Sequence, residues 1–144
     1  MNRISLALGV GLAVLALAGC SGDDTPEAAT EVSVTGTDDL AFEPDVLTVP
    51  AGEEVAVSFT SDPSVEHDLV IEGVGMAATA GDEGHGDGDE HAMDDDDMHI
   101  AHAAAGETVS AVFTVDEPGT YTVYCSVPGH RQAGMEATLT VADA

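Results

Sequence analysis

Lysine is absent from this chain, and arginine occurs only at Arg3 and Arg131, against 28 aspartates and glutamates. A formal net charge of −26 leaves no basic patch with which to hold a phosphate backbone or an anionic headgroup, so nucleic acid and charged lipid surfaces are excluded as ligands. Long apolar runs are missing too. The one candidate, Ile4 to Ala18, is too short and too closely followed by polar sequence for a comfortable membrane span. Helical periodicity is lacking from everything after it, which argues against a helical domain. Cysteine is nearly absent, with only Cys20 and Cys125.

Arg3 followed by the Ile4–Ala18 run reads as a signal peptide over residues 1–19. It ends Leu17-Ala18-Gly19-Cys20, which resembles the bacterial lipobox, whose cysteine takes a diacylglyceryl group and becomes the new N-terminus. An ordinary signal peptide cut near an incidental cysteine is the alternative. Residues 20–30, rich in Gly, Asp, Thr, Pro, Glu and Ala without periodicity, are expected to be a flexible tether. On this reading the protein is extracytoplasmic and held to the membrane by the lipid on Cys20 alone. Only Cys125 then remains, so no disulfide within the chain is available. An exported protein with one unpaired thiol has either a reactive liability or a metal-bound sulfur.

Removing the leader leaves Arg131 as the single cation. Such self-repulsion argues for a monomer and for a saline setting, where the Debye length falls to a few ångströms. Added salt should therefore raise the thermal midpoint of the protein. Equal stability with and without salt would remove the ground for that setting.

From Glu31 onward short apolar segments alternate with polar residues: Val32 and Val34, Val46 to Val49, Val55-Val57-Phe59, Leu69 and Ile71, Val109 to Val115, Tyr121 and Val123, and Ala137-Leu139-Val141. A period of two marks half-buried strands, and Thr37-Asp38-Asp39, Pro50-Ala51-Gly52 and Asp62-Pro63 mark turns between them. About seven strands are expected, making residues 31–144 one all-β domain, a sandwich or Greek-key barrel. Between Gly73 and Gly106 the pattern stops. That stretch, with Asp94 to Asp97 in a row, is expected to be a disordered acidic insertion and not part of the core.

The last third reads Tyr124-Cys125-Ser126-Val127-Pro128-Gly129-His130-Arg131-Gln132-Ala133-Gly134-Met135. Thiolate, imidazole and thioether recur every five residues on one tight loop. They form a soft ligand set suited to copper, with the thioether as a weak axial partner. A second imidazole is available at His67, which shares phase with Leu69 and Ile71 and so points inward. Cys125 shares phase with Tyr121 and Val123, and pairing of the two strands would bring both ligands together. Singly, each of these residues has a plainer reading: Met135 as core filler, His67 as a half-buried histidine, Cys125 as a small hydrophobe. Their joint spacing points to the metal. Arg131 is expected to be a solvated loop residue.

These residues, with Ala41-Phe42-Glu43-Pro44, Leu47 to Val55 and Pro118 to Cys125, resemble the cupredoxin family of blue-copper proteins. The likeness covers Glu31 to Val141 apart from the insertion. The Cys-x4-His-x4-Met spacing is most similar to rusticyanin and sulfocyanin. The resemblance implies a Greek-key β-sandwich holding one type 1 copper, with His67, Cys125 and His130 equatorial and Met135 axial. It implies electron transfer through the exposed edge of His130 to a redox protein such as a c-type cytochrome, terminal oxidase or reductase. One departure is Asp68, where many relatives have an Asn that ties two ligand loops together. An ionised carboxylate cannot donate that hydrogen bond.

The insertion holds His85, His91, His99 and His102 with Met76, Met93 and Met98. These could capture copper or another divalent ion, giving a secondary metal site and a storage or delivery protein as the alternative to a one-electron carrier. The plainer expectation is a solvated segment whose histidines are incidental. An enzyme is disfavoured. The His-x-His pairs of multicopper oxidases, the second domain of copper nitrite reductases and the second loop cysteine of dinuclear copper centres are all missing.

Overall fold

The computed structural model describes residues 29–75, 78–80 and 95–143. The leader, Cys20, most of the tether, Met76, His85, His91 and Met93 lie outside the described residues. Among those described, no helix is long and apolar enough to cross a membrane.

Ten strands follow one another among the described residues: β1 (Thr30–Gly36), β2 (Phe42–Glu43), β3 (Val46–Pro50), β4 (Val55–Ser61), β5 (His67–Ile71), β6 (Ala78–Ala80), β7 (Met98–Ala103), β8 (Thr108–Val115), β9 (Gly119–Tyr124) and β10 (Glu136–Ala142). They form two five-stranded sheets, ordered β2-β1-β4-β8-β6 and β3-β10-β9-β5-β7. β1 runs parallel to β4 and β3 parallel to β10, while the other neighbours are antiparallel. This is the Greek-key β-sandwich that the family resemblance implies; the alternation by itself leaves a sandwich or a barrel open.

The alternation locates the core. Val55, Val57 and Phe59 of β4 are buried while Ala56, Ser58 and Thr60 between them are only partly so, and Leu139 and Val141 face them from the other sheet. β-branched and aromatic side chains suit this pleated surface, and each fully buried one contributes roughly 1.5–3 kcal/mol by leaving water. Phe42 and Phe59 meet with ring centroids 6.3 Å apart and planes tilted by 51°, an arrangement aromatic quadrupoles favour.

The expected insertion is shorter than its sequence suggests. Met98–Ala103 is strand β7, paired antiparallel with β5, and Ile100, Ala101 and Ala103 are buried in the core. Ala78–Ala80 pairs with β8. The pattern was obscured because the β5–β7 ladder shifts register between Leu69 and Val70, so that Leu69 opposes Ala101 and Val70 opposes His99. Ile100 is thus the extra residue of a bulge, and the period of two changes phase there.

Chain order within the second sheet places the functional end of the molecule. β9 and β10 are antiparallel neighbours, so residues 125–135 between them form a loop at one end of that sheet. β5 lies on the other side of β9, with Val70 opposite Tyr124 and Ile71 opposite Val123. Continuing that register past Tyr124 puts Leu69 opposite Cys125 and Asp68 opposite Ser126, so the start of β5, with His67, reaches the loop that begins at Cys125.

Candidate metal centre

His67, Cys125 and His130 bring one ligand atom each within 4.8 Å of one another, the only such group of histidine, cysteine or carboxylate among the described residues. His67 and Cys125 are fully buried and His130 is half-buried. The Cys125 sulfur lies 3.5 Å from His130 Nδ1 and 4.0 Å from His67 Nδ1. The two imidazole rings stand 5.2 Å apart, centre to centre, tilted by 59°.

The loop is built to hold these atoms. Val127 accepts a backbone hydrogen bond from His130, and a single 3-10 turn (Arg131–Ala133) follows. Gly134 ends the turn at φ 103°, a left-handed conformation that a side chain would strain, and its N–H donates to the Arg131 carbonyl. That reversal delivers Met135 back into the interior, fully buried. Its N–H donates to the His130 carbonyl at 3.1 Å and its carbonyl accepts from the Cys125 N–H at 3.3 Å. Met135 is therefore stitched to both Cys125 and His130.

The donor set fits a soft metal ion. Imidazole and thiolate bonds of roughly 2.0–2.3 Å in a trigonal plane separate sulfur from nitrogen by about 3.8 Å, between the two distances found here. Two imidazoles, one thiolate and a buried methionine match the His2Cys plane with a weak axial thioether that suits copper. Before a metal binds, burial pushes the Cys125 thiol up to about 11. Burial, and after it the neighbouring His130, hold His67 below its ordinary value, favouring the neutral imidazole a metal needs. No hydrogen bond of normal geometry reaches His67 Nε2 among the described residues, so the ring is positioned by packing together with the nearby Thr37 backbone, which acts on it as an acceptor. Gly36 supplies part of that packing: a Cβ there would sit 2.6 Å from His67 Cδ2.

Asp68 is fully buried, which the sequence reading did not anticipate. Its amide donates to the Cys125 sulfur at 3.3 Å, and its carboxylate accepts hydrogen bonds from the Ser126 hydroxyl and from His102 Nδ1. The tie between the two ligand segments therefore exists with donor and acceptor reversed, the hydroxyl donating where an Asn amide would have done so. Burial alone would raise this carboxyl. Hydrogen bonds from His99, Ser126 and His102 outweigh it and hold the group well below the usual carboxylate range.

His99 and His102, expected in a loose insertion, lie on β7 and turn toward this carboxylate. Their neighbour Met98 is half-buried on the same strand and packs against the core.

Arg131 is not the solvated residue expected. Its guanidinium donates to Glu72 at 2.6 Å and to Glu136 at 2.9 Å, and lies 4.1 Å from the centre of the Tyr124 ring. Tyr124 in turn donates its hydroxyl to Asp97, and burial together with that bond raises it well above an ordinary phenol. Only the pairing of β5, β9 and β10 brings these partners together, so no local sequence signal reveals them. Arg131→Ala should destabilise the metal-free protein by about 1 kcal/mol, because the group is about a third exposed and its ion pairs are screened. Urea unfolding would measure this, and Arg131→Lys should recover less than half, lacking the planar fork.

The model of the family described as copper binding proteins of the plastocyanin/azurin family matches residues 28–142. Auracyanin-B of Chloroflexus aurantiacus is 34% identical over 128 residues, covering 83% of this chain; the chain spans about half the length of that relative, 54%. The chloroplastic plastocyanin of Fritillaria agrestis is 32% identical over 144 residues, covering 96% of this chain and 75% of that protein. Among solved structures, auracyanin A of Chloroflexus aurantiacus, titled a "blue" copper protein, superposes with a TM-score of 0.58 at 25% identity, covering 79% of this chain and 99% of that one. With its sandwich, its ligand loop and a family match over nearly all the described residues, this chain belongs to the plastocyanin/azurin family of copper binding proteins.

Proposed function

We propose that the protein is a one-electron carrier whose single copper would be held by His67, Cys125, His130 and Met135. The observation that carries this is the convergence of two imidazole nitrogens on one buried cysteine sulfur, with Met135 hydrogen-bonded to both loop ligands. Bound there, copper supplies the reversible one-electron couple. The chain supplies rigidity: a backbone-braced loop and a fully buried cysteine hold the donors in one arrangement and keep water from the sulfur. Small reorganisation between oxidation states follows from that bracing.

His130 is the ligand that approaches solvent. It borders a shallow depression lined by Ser64, Val65, Glu66, Ala105 and Val127, with the exposed Pro128 and Gly129 nearby. That edge is the contact offered to a redox protein such as a c-type cytochrome, oxidase or reductase. Export under residues 1–19 and a lipid on Cys20 would place the monomeric carrier on the outer side of the cytoplasmic membrane.

The test is to add one equivalent of Cu(II) to the purified protein and record visible absorption and EPR beside a Cys125→Ala control. An intense thiolate-to-copper band with narrow hyperfine splitting, lost in the control, is expected. A weak spectrum indifferent to the substitution would refute the carrier reading and direct attention to the histidines and methionines of residues 76–102 as a storage or delivery site.

A further inference from the structure

A carboxylate shut away from water is destabilised unless its oxygens are occupied, and Asp68 is fully shut away. What occupies it comes from two places in the fold. Ser126, the residue after Cys125, donates its hydroxyl to one oxygen. His102 on β7 donates Nδ1–H to the other at 2.7 Å, and His99 Nε2 approaches the same oxygen at 3.7 Å. Asp68 itself follows His67, and its amide points at the Cys125 sulfur. One side chain thus joins the segment carrying one copper ligand to the segment carrying another.

His102 is placed to govern that junction. It is the register partner of Asp68 in the β5–β7 ladder, so the two side chains lie side by side on one face. Its other nitrogen, Nε2, lies 3.8 Å from the Glu66 carboxylate. The ring therefore spans the two carboxylates that flank His67 in the chain, and it touches Asp68 on the side opposite Ser126. Without it, Asp68 keeps the Ser126 hydroxyl on one oxygen and loses the close donor on the other.

We propose that His102 is a positioning residue of the copper centre, acting through Asp68: it fixes the carboxylate that holds the Ser126 hydroxyl, and with it the Asp68 amide against the Cys125 sulfur. This rests on the ligand assignment of the preceding subsection. Hydrogen bonding around the cysteine sulfur tunes such a centre, and supporting partners of metal ligands typically matter by 10–100-fold. Loss of His102 leaves the buried negative charge less compensated and the amide less firmly aimed. Both changes favour Cu(II) over Cu(I).

The test is a double-mutant cycle on the copper-loaded protein, read by reduction potential and EPR. His102→Leu should shift the Cu(II)/Cu(I) equilibrium toward Cu(II) by about tenfold, a fall of about 59 mV for one electron. Asp68→Asn should shift it the other way. In the Asp68→Asn background, His102→Leu should shift it by less than about twofold, because the route is removed. His102→Asn, whose amide can stand where Nδ1–H stands, should restore most of the wild-type potential and hyperfine splitting. A copper-free readout is nitrogen-15 NMR of the Cys125→Ala protein, in which the His102 Nδ1 proton should be bonded and slow to exchange.

An unchanged potential in His102→Leu, an equal shift in both backgrounds, or a His102 Nδ1 without a bonded proton would each overturn the inference. Failure of the wild-type protein to give the intense thiolate band would instead overturn the ligand assignment, and this inference with it.

Discussion

Gly36→Ala should abolish or severely distort the copper centre while leaving the sandwich folded. Gly36 closes β1, far from the ligands in sequence, yet a methyl group there would stand 2.6 Å from His67 Cδ2, 2.8 Å from Cγ and 3.0 Å from Cβ. Real carbon atoms do not approach so closely, so something must move. The glycine backbone is held from several sides: it pairs with Phe42 and Ser61, and its carbonyl accepts the Asp62 N–H at 2.9 Å. The imidazole is retained only by the Thr37 backbone, with no hydrogen bond of normal geometry at Nε2. The ring is therefore what yields, carrying Nδ1 away from the Cys125 sulfur. Overpacking of this kind destabilises by about 1–3 kcal/mol, and copper affinity should fall at least about tenfold, as for loss of a ligand's support. Gly52→Ala is the control. Gly52 has φ 71° with open space around it, so alanine there strains the backbone without touching the site. Visible absorption of both variants decides the matter. An unaltered band in Gly36→Ala would show that His67 is not held by packing against β1.

The contrast between Gly36 and the ligands shows where sequence reading works. Cys125, His130 and Met135 sit on one short loop, so their spacing alone exposes them, and His67 is found because its phase matches Leu69 and Ile71. The alternating segments of β1, β3, β4, β8 and β10 are legible for the same reason: each buries one face against the opposite sheet. Strand β7 is not legible. Met-His-Ile-Ala-His-Ala has one β-branched residue, follows an acidic run and carries a bulge at Ile100 that breaks its phase. Strands β2 and β6 are too short for any period to show.

Partnerships across the sheet are hidden as well. A carboxylate at position 68 reads as a lost hydrogen bond until the hydroxyl of Ser126 is seen to donate in its place. Arg131 reads as solvated until Glu72, Tyr124 and Glu136 converge on it from three strands or their ends. In each case a contact between residues nearly sixty positions apart, Asp68 with Ser126 and Arg131 with Glu72, completes the arrangement, and no local pattern encodes it.

Removing copper should lower stability more than most single substitutions do. A ligand that binds the folded chain alone stabilises it by about 4.1 kcal/mol when its free concentration is a thousand times its Kd. For a domain of this size that is a rise in midpoint of about 15 °C. The donors already converge, with sulfur 3.5 and 4.0 Å from the two nitrogens, so little of the binding energy is lost to ordering them. Two features work against the full effect. The buried thiol must first lose a proton. The unfolded chain also exposes His85, His91, His99 and His102 with several methionines, which can bind copper in competition. Calorimetric scans of copper-loaded and chelator-treated protein give the shift, and Cys125→Ala, which keeps those other residues, gives the background. A shift below about 5 °C, or one equal in the Cys125→Ala protein, would mean that copper is held no more tightly by the folded loop than by the unfolded chain, and the centre described here would not be where it binds.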